Sequence, residues 1–219
     1  MMHNSAQIIF SLEVILFASV IFMHLSKKSS SVISLYVLQS LVIAVLLFGS
    51  AFQEASWSLF LVALVVFVVK VVVSPHFFKK LVSENQLKFT ASTYLNGPMT
   101  LVILALLTGV TYSRFFKPLT ILSADHQNTL LLAVAMMLIS IFLIINRKGA
   151  LSQMIGVLSL ENGIVSFAFL AGLEQTPGLQ LGIIFDILVW IIIATLFATM
   201  VYKQYGSLDV TAMTHLKEE

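Results

Sequence analysis

Seven apolar runs of about 20 residues each dominate this chain and restrict how it can fold. They cover residues 6–24, 31–52, 57–78, 98–116, 127–145, 151–173 and 179–202. A helix of this length crosses the ~30 Å hydrocarbon core of a bilayer. Lipid offers no hydrogen bonds to an open backbone, so a helix is the only spanning structure that fits. The sequence therefore predicts an all-α, polytopic membrane protein of seven transmembrane helices.

The composition supports this class and excludes several kinds of function. Of 219 residues, 59% are hydrophobic and 10% are charged, against a norm of about 25% charged in globular proteins. The absence of cysteine excludes thiolate-ligated zinc, iron–sulfur clusters and disulfides. The net charge of +2 is too small to suggest nucleic-acid binding. We expect no catalytic residue, cofactor, metal site or nucleic-acid partner in this chain.

The basic residues predict the orientation, because cytoplasmic loops carry an excess of Lys and Arg. With seven spans, two basic residues, Arg114 and Lys117, fall on one side. Nine fall on the other: Lys27, Lys28, Lys79, Lys80, Lys88, Arg147, Lys148, Lys203 and Lys217. This pattern predicts a plasma (inner) membrane protein with its N-terminus outside and its C-terminus in the cytoplasm.

Ionisable side chains lie inside three of the apolar runs, and they are the main functional signal. Glu161, Asp186 and Lys70 each occupy a different run. A charge at that depth costs at least ~2.5–3.5 kcal/mol, so such a residue is a functional candidate by default. Asp186 is roughly 10 Å from the outer face, Glu161 roughly 15 Å deep, and Lys70 and Gln39 about 12 Å from the cytoplasmic face. We predict that these four residues form a descending proton-transfer series.

Each of these residues also has a simpler interpretation. Glu161 and Asp186 would serve equally as protonated, hydrogen-bonded packing groups. Lys70 would reach the inner face if its side chain snorkels. Glu13 in the first run is shallow, so a packing role is favoured there.

Small residues form a stripe along the sixth span, opposite Glu161. They recur at spacings of 4, 3, 4 and 3: Ser152, Gly156, Ser159, Gly163 and Ser166. Such stripes let helix backbones approach closely within a membrane. We expect these five to be helix-packing residues, and both faces of this helix to contact protein.

Spans 2 and 6 align without gaps, which suggests an internal repeat. Segment 33–40 (ISLYVLQS) matches segment 155–162 (IGVLSLEN), with Gln39 opposite Glu161. With span 4 as a linker helix, the two three-helix units point the same way, as parallel repeats do. Unrelated apolar helices also align to some extent, so the repeat is a hypothesis. The predicted divisions are a first three-helix unit (1–80), a cytoplasmic loop and linker helix (81–120), a second three-helix unit (121–205) and a cytoplasmic tail (206–219).

These motifs resemble one known family over nearly the whole chain. Segment 155–163 with Glu161, the following span with Asp186, and the closing segment 205–210 (YGSLDV) look like hydrogenase-4 component E proteins. Segments 35–41 (LYVLQSL) and 69–71 (VKV) do so as well. The resemblance implies a non-catalytic membrane subunit of a complex related to complex I, in which a soluble redox arm couples to antiporter-like membrane subunits.

Spans 5–7 also resemble the small three-helix subunit of complex I and the C subunit of Mrp-type sodium/proton antiporters. In that complex I subunit, carboxylates on the second and third helices belong to the central line of proton-transfer residues. The second-helix position falls on Glu161. The third falls on Asp186, where the relative carries Glu.

Three functions stay open from the sequence. The first is a membrane subunit that contributes to proton translocation through buried carboxylates, with antiporter-like subunits, the lipid bilayer, and protons or sodium as its partners. The second is a purely structural subunit that holds antiporter-like chains together. The third is a stand-alone ion transporter, against which the absence of glycine- and proline-broken spans argues.

Overall fold

The computed structural model shows helices throughout the part of the chain that it describes. That part comprises residues 2–84 and 92–171 and separate positions between 181 and 203, with the backbone alone at 2–5, 80–84 and 150. Within it there is no strand, only an isolated antiparallel bridge between Thr93 and Arg147. The α-helices are α1 (Met2–Leu25), α2 (Ser29–Gln53), α3 (Trp57–Phe67), α4 (Ser74–Glu84), α5 (Gly97–Thr111), α6 (Gln127–Asn146) and α7 (Ala150–Leu170).

Five helical stretches in the described residues are long and apolar enough to cross a membrane. They are Ala6–Leu25, Ser29–Gln53, Trp57–Lys79, Ala124–Asn146 and Leu151–Leu170. They coincide with five of the predicted spans and confirm an all-helical, multi-pass membrane protein.

The other two predicted spans are not confirmed. Helix α5 has 15 residues and is about 22 Å long, and it ends at Thr111 instead of residue 116. A turn follows at 112–116, and Pro118 disfavours a continuation of the helix through this turn because its ring would clash with the carbonyl four residues earlier. Of the predicted span 179–202, the structure describes only separate positions, all helical.

The third span is one continuous helix with a widened turn. A π-helical segment, Val68–Val73, joins α3 to α4. Both the N–H and the Oγ of Ser74 bond to the carbonyl of Val69, the latter at 2.8 Å. Pro75 has no N–H to continue the regular ladder, so the wider turn accommodates it. Lys70 lies in this turn.

Helices α1, α2, α6 and α7 surround the main core. Helix α1 packs on α2 and α6, α2 packs on α3 and α7, and α6 packs on α7. Fully buried apolar side chains fill the space between them: Leu16, Val20, Ile33, Met136, Ile139 and Ile155.

The Arg147 side chain links the end of α6 to the end of α1 at one end of the bundle. Its side chain is 0% exposed, and its Nη2 donates to the carbonyls of Met23 and Ser26, the latter at 3.0 Å. These carbonyls lie where α1 ends and lack helical partners, and a cation there also complements the helix dipole. Burial lowers the pKa of Arg147 to about 10, so it stays cationic at neutral pH. We call this the Arg147 end of the bundle.

Candidate functional site

Lys70 and Glu161 form an ion pair between the third span and α7. The Lys70 Nζ lies 2.9 Å from the Glu161 Oε1, and the two side chains are 1% and 19% exposed. Lys70 is nine residues from the end of its span at Lys79, about 14 Å inside it. The structure therefore places the ammonium against α7 and not at the span end.

Asn162 and Ser40 extend this pair to α2. The Lys70 Nζ also donates to Asn162 Oδ1 at 2.9 Å, and Asn162 Nδ2 donates to Ser40 Oγ at 3.4 Å. Asn162 and Ser40 are 0% exposed. We call Lys70, Glu161, Asn162 and Ser40 the central cluster. It joins three spans through four polar side chains, of which Glu161 alone is partly exposed.

Two of the four predicted proton-transfer residues meet in this cluster. Gln39 does not join Lys70, because its Nε2 turns to α1 and donates to the Leu16 carbonyl at 3.4 Å. Its neighbour Ser40 takes part instead. Asp186 lies outside the described residues, so its place in the series stays a prediction.

The small residues of α7 contact two helices, mainly α6 and, through Ser166, α1. A Cβ added to Gly156 would lie 2.8 Å from Ile144 Cγ1, and one added to Gly163 would lie 3.4 Å from the backbone nitrogen of Met137. Ser159 shares a 3.0 Å hydrogen bond with Ser140 of α6. At those points no larger residue fits between α6 and α7 without displacement.

The two end residues of the stripe are also buried. Ser152 is buried near the start of α7. Ser166 instead reaches α1, where its Oγ donates to the Oε2 of Glu13. Glu13 is 1% exposed, and its hydrogen bond to Ser166 is compatible with the packing role that its shallow position in the span favours. The contact between α1 and α7 buries Glu13. The position of a residue along its own span does not show which neighbouring helix covers its side chain.

Sequence reasoning missed Asn162 and Ser40 as members of the cluster. Both sit beside predicted residues, since Asn162 follows Glu161 and Ser40 follows Gln39. The signal was present in the gap-free alignment of spans 2 and 6, where these two polar residues oppose each other.

The central cluster has the composition of a proton-exchange site. The Lys70 ammonium lies within hydrogen-bonding distance of the Glu161 carboxylate, so a proton donor and a proton acceptor meet in this cluster. Proton relays in membrane proteins use such groups facing the bundle interior. Among the described residues, no group of three or more His, Asp or Glu side chains is placed to hold a metal ion.

Comparison with known proteins identifies one set of relatives. The chain is 25% identical over 124 residues to hydrogenase-4 component E of Escherichia coli K12, of Escherichia coli O157:H7 and of Shigella flexneri. The match covers 56% of this chain and 57% of each relative. No protein-family model matches the chain, and no solved structure matches it significantly. The similarity to hydrogenase-4 component E that the motifs predicted is thus confirmed over about half of the chain, whereas the predicted extent over nearly the whole chain is not.

Proposed function

We propose that this chain is a non-catalytic integral membrane subunit of a complex-I-related redox or antiporter complex and contributes to proton translocation. The observation that carries the proposal is the Lys70–Glu161 ion pair, 2.9 Å long, about 14 Å inside the third span. The similarity to a hydrogenase-4 component supports the kind of complex. Antiporter-like membrane subunits would be its partners.

In this role the central cluster exchanges protons. Glu161 binds a proton that arrives along the bundle and thereby loses its charge. Lys70, no longer held by a carboxylate, then releases its own proton toward the Arg147 end. Asp186 is the proposed carrier on the far side of Glu161. Gln39 would line the route without titrating, because an amide carries no exchangeable charge.

Replacing Glu161 with Gln tests this function. Gln keeps the shape and accepts a hydrogen bond from Lys70 but does not titrate. We expect Glu161→Gln to abolish proton transport by the assembled complex in sealed membrane vesicles, read with a pH-sensitive dye. Transport would be driven by H₂ oxidation for a redox complex or by a sodium gradient for an antiporter. Glu54→Gln, at an exposed carboxylate beyond the end of α2, is the matched control and should transport normally.

A purely structural role is the second candidate, favoured by the close α6–α7 contact at Gly156. It predicts normal transport by Glu161→Gln and loss of the whole complex in Gly156→Leu. A stand-alone transporter would instead show transport when the chain is reconstituted alone.

The two-unit arrangement remains part of the proposal. Spans 2 and 6 occupy equivalent places in the aligned units, and the Asn162–Ser40 hydrogen bond joins two positions that the alignment makes equivalent. Equivalent positions meet in this way when parallel repeats are related by an axis along the membrane normal.

The orientation also remains a proposal. The contact of Arg147 with the Ser26 carbonyl brings the α1–α2 and α6–α7 connections to one end, in line with their shared basic residues. Since the chain has no cysteine, single cysteines at 27 and 117 test it cleanly. An impermeant maleimide applied to intact cells should label only position 117, and labelling of position 27 would reverse the orientation.

A further inference from the structure

Glu13 is a buried carboxyl that the central cluster does not use. It lies in α1, seven residues into the Ala6–Leu25 span, about 10 Å from its start, and is 1% exposed. Its Oε2 accepts a hydrogen bond from Ser166. Its Oε1 is buried and has no hydrogen-bond partner among the described residues.

Ser166 connects Glu13 to the central cluster along α7. Ser166 and Asn162 are four residues apart and so lie on the same face of the helix, about 6 Å apart along its axis. Both are 0% exposed. Asn162 binds Lys70, and Ser166 binds Glu13. One face of α7 therefore carries two buried polar contacts, and Glu13 occupies the one farther from the Arg147 end.

The surroundings of Glu13 hold no cation that pairs with it in the described residues. Helices α2, α5, α6 and α7 and the segment Ala124–His126 pack against α1. Their described ionisable side chains, with that of α1 itself, are Tyr36, Glu161, Asp125, His126 and His24. The ion pair in the described part of the chain joins Lys70 to Glu161 and does not include Glu13. A buried carboxyl without a counter-charge takes up a proton instead of staying ionised.

We propose that Glu13 is a second proton-holding carboxyl of the route and delivers its proton to Glu161. At rest Glu13 is the protonated acid, and Glu161 is the carboxylate that Lys70 stabilises. In the transfer, the Ser166 hydroxyl turns to accept a hydrogen bond from Glu13. The Glu13 O–H bond then breaks as its proton binds the Ser166 oxygen, the original Ser166 hydroxyl proton leaves to water, and water passes a proton on so that an O–H bond forms on Glu161. One proton moves and no electron is transferred. The proposal rests on the proton-carrying role of Glu161 in the proposed function.

Infrared spectroscopy of the assembled complex in native lipid tests the resting state. A protonated carboxyl has a C=O stretch that an ionised one lacks. We expect Glu13→Gln to remove one such band at neutral pH, and Ser166→Ala to shift it because the hydrogen bond to Oε2 is lost. Glu54→Gln is the control and should leave the band of the protonated carboxyl unchanged. An unchanged carboxyl band in Glu13→Gln would overturn the proposal.

Proton transport in vesicles tests the transfer itself. With the amount of assembled complex matched, we expect Glu13→Gln to lose transport and Glu13→Asp to retain part of it, since Asp titrates but is one methylene shorter. Normal transport by Glu13→Gln, alongside loss in Glu161→Gln, would overturn the role of Glu13 and leave the proposed function standing. Normal transport by both variants would overturn the proposed function as well. If Glu13→Gln prevents assembly, Ser166→Ala decides: slowed transport supports the route and normal transport contradicts it.

Discussion

Helix α7 contacts its neighbours through two faces at the same depth, and different forces stabilise the two contacts. One meets α6 through Gly156, Ser159 and Gly163, where the backbones lie too close for a larger side chain. The other meets the third span through the Lys70–Glu161 ion pair. The α6 face gains from dispersion over close contacts. The Lys70 face requires charges that are costly to bury unless they pair.

This difference separates packing from chemistry. Close contact between small residues holds helices together and has no second state. An ion pair changes state when a proton binds, so the Lys70 face is where a function that moves protons would reside. Variants of the two faces should therefore differ in both the size and the kind of their effect.

Breaking the ion pair should have the largest effect on stability. Lys70→Met removes the donor to Glu161 and Asn162 and takes the ammonium counter-charge away from a largely buried carboxylate, and breaking a buried ion pair in this way costs about 3–5 kcal/mol. The free energy of unfolding, from an SDS titration in mixed micelles, measures it. Lys79→Met, at an exposed lysine of the same span, should cost little. The double variant Lys70→Met/Glu161→Leu should recover much of the loss, and failure to recover would show that the charges are not energetically coupled.

Filling the α6 face should have an intermediate effect. Gly163→Leu forces side-chain atoms against the Met137 backbone, and overpacking of this kind costs about 1–3 kcal/mol. Gly109→Leu is the matched control, since a Cβ there meets nothing within 4 Å. The same titration measures both variants. Equal stability of the two would mean that α6 and α7 separate easily at this point.

Removing a neutral hydrogen bond on the α6 face should have the smallest effect. Ser140→Ala removes the 3.0 Å bond to Ser159, and such bonds between membrane helices average about 0.6 kcal/mol. Ser34→Ala is the control, because that exposed hydroxyl bonds only within its own helix. Thermal unfolding in detergent resolves the difference. A loss of stability as large as that of Lys70→Met would show that the two faces of α7 contribute equally to stability.

The candidate site was only partly accessible from the sequence. Lys70 and Glu161 stood out because a charge in an apolar run is visible locally. Their pairing was not, since 91 residues separate them and the predicted series placed Lys70 and Gln39 together. Asn162 and Glu13 gained their significance from side chains on other helices.

The sequence by itself determined five long apolar helices and the all-helical class of the described residues, because the length of an apolar run and the backbone's need for internal hydrogen bonds are local properties. The tertiary structure decided which polar groups meet. It turned Lys70 toward α7 through the π-helical turn before Pro75, sent Gln39 to the α1 backbone, and buried Glu13 against Ser166. These outcomes depend on how neighbouring helices rotate and pack against one another, and no single apolar run encodes that rotation.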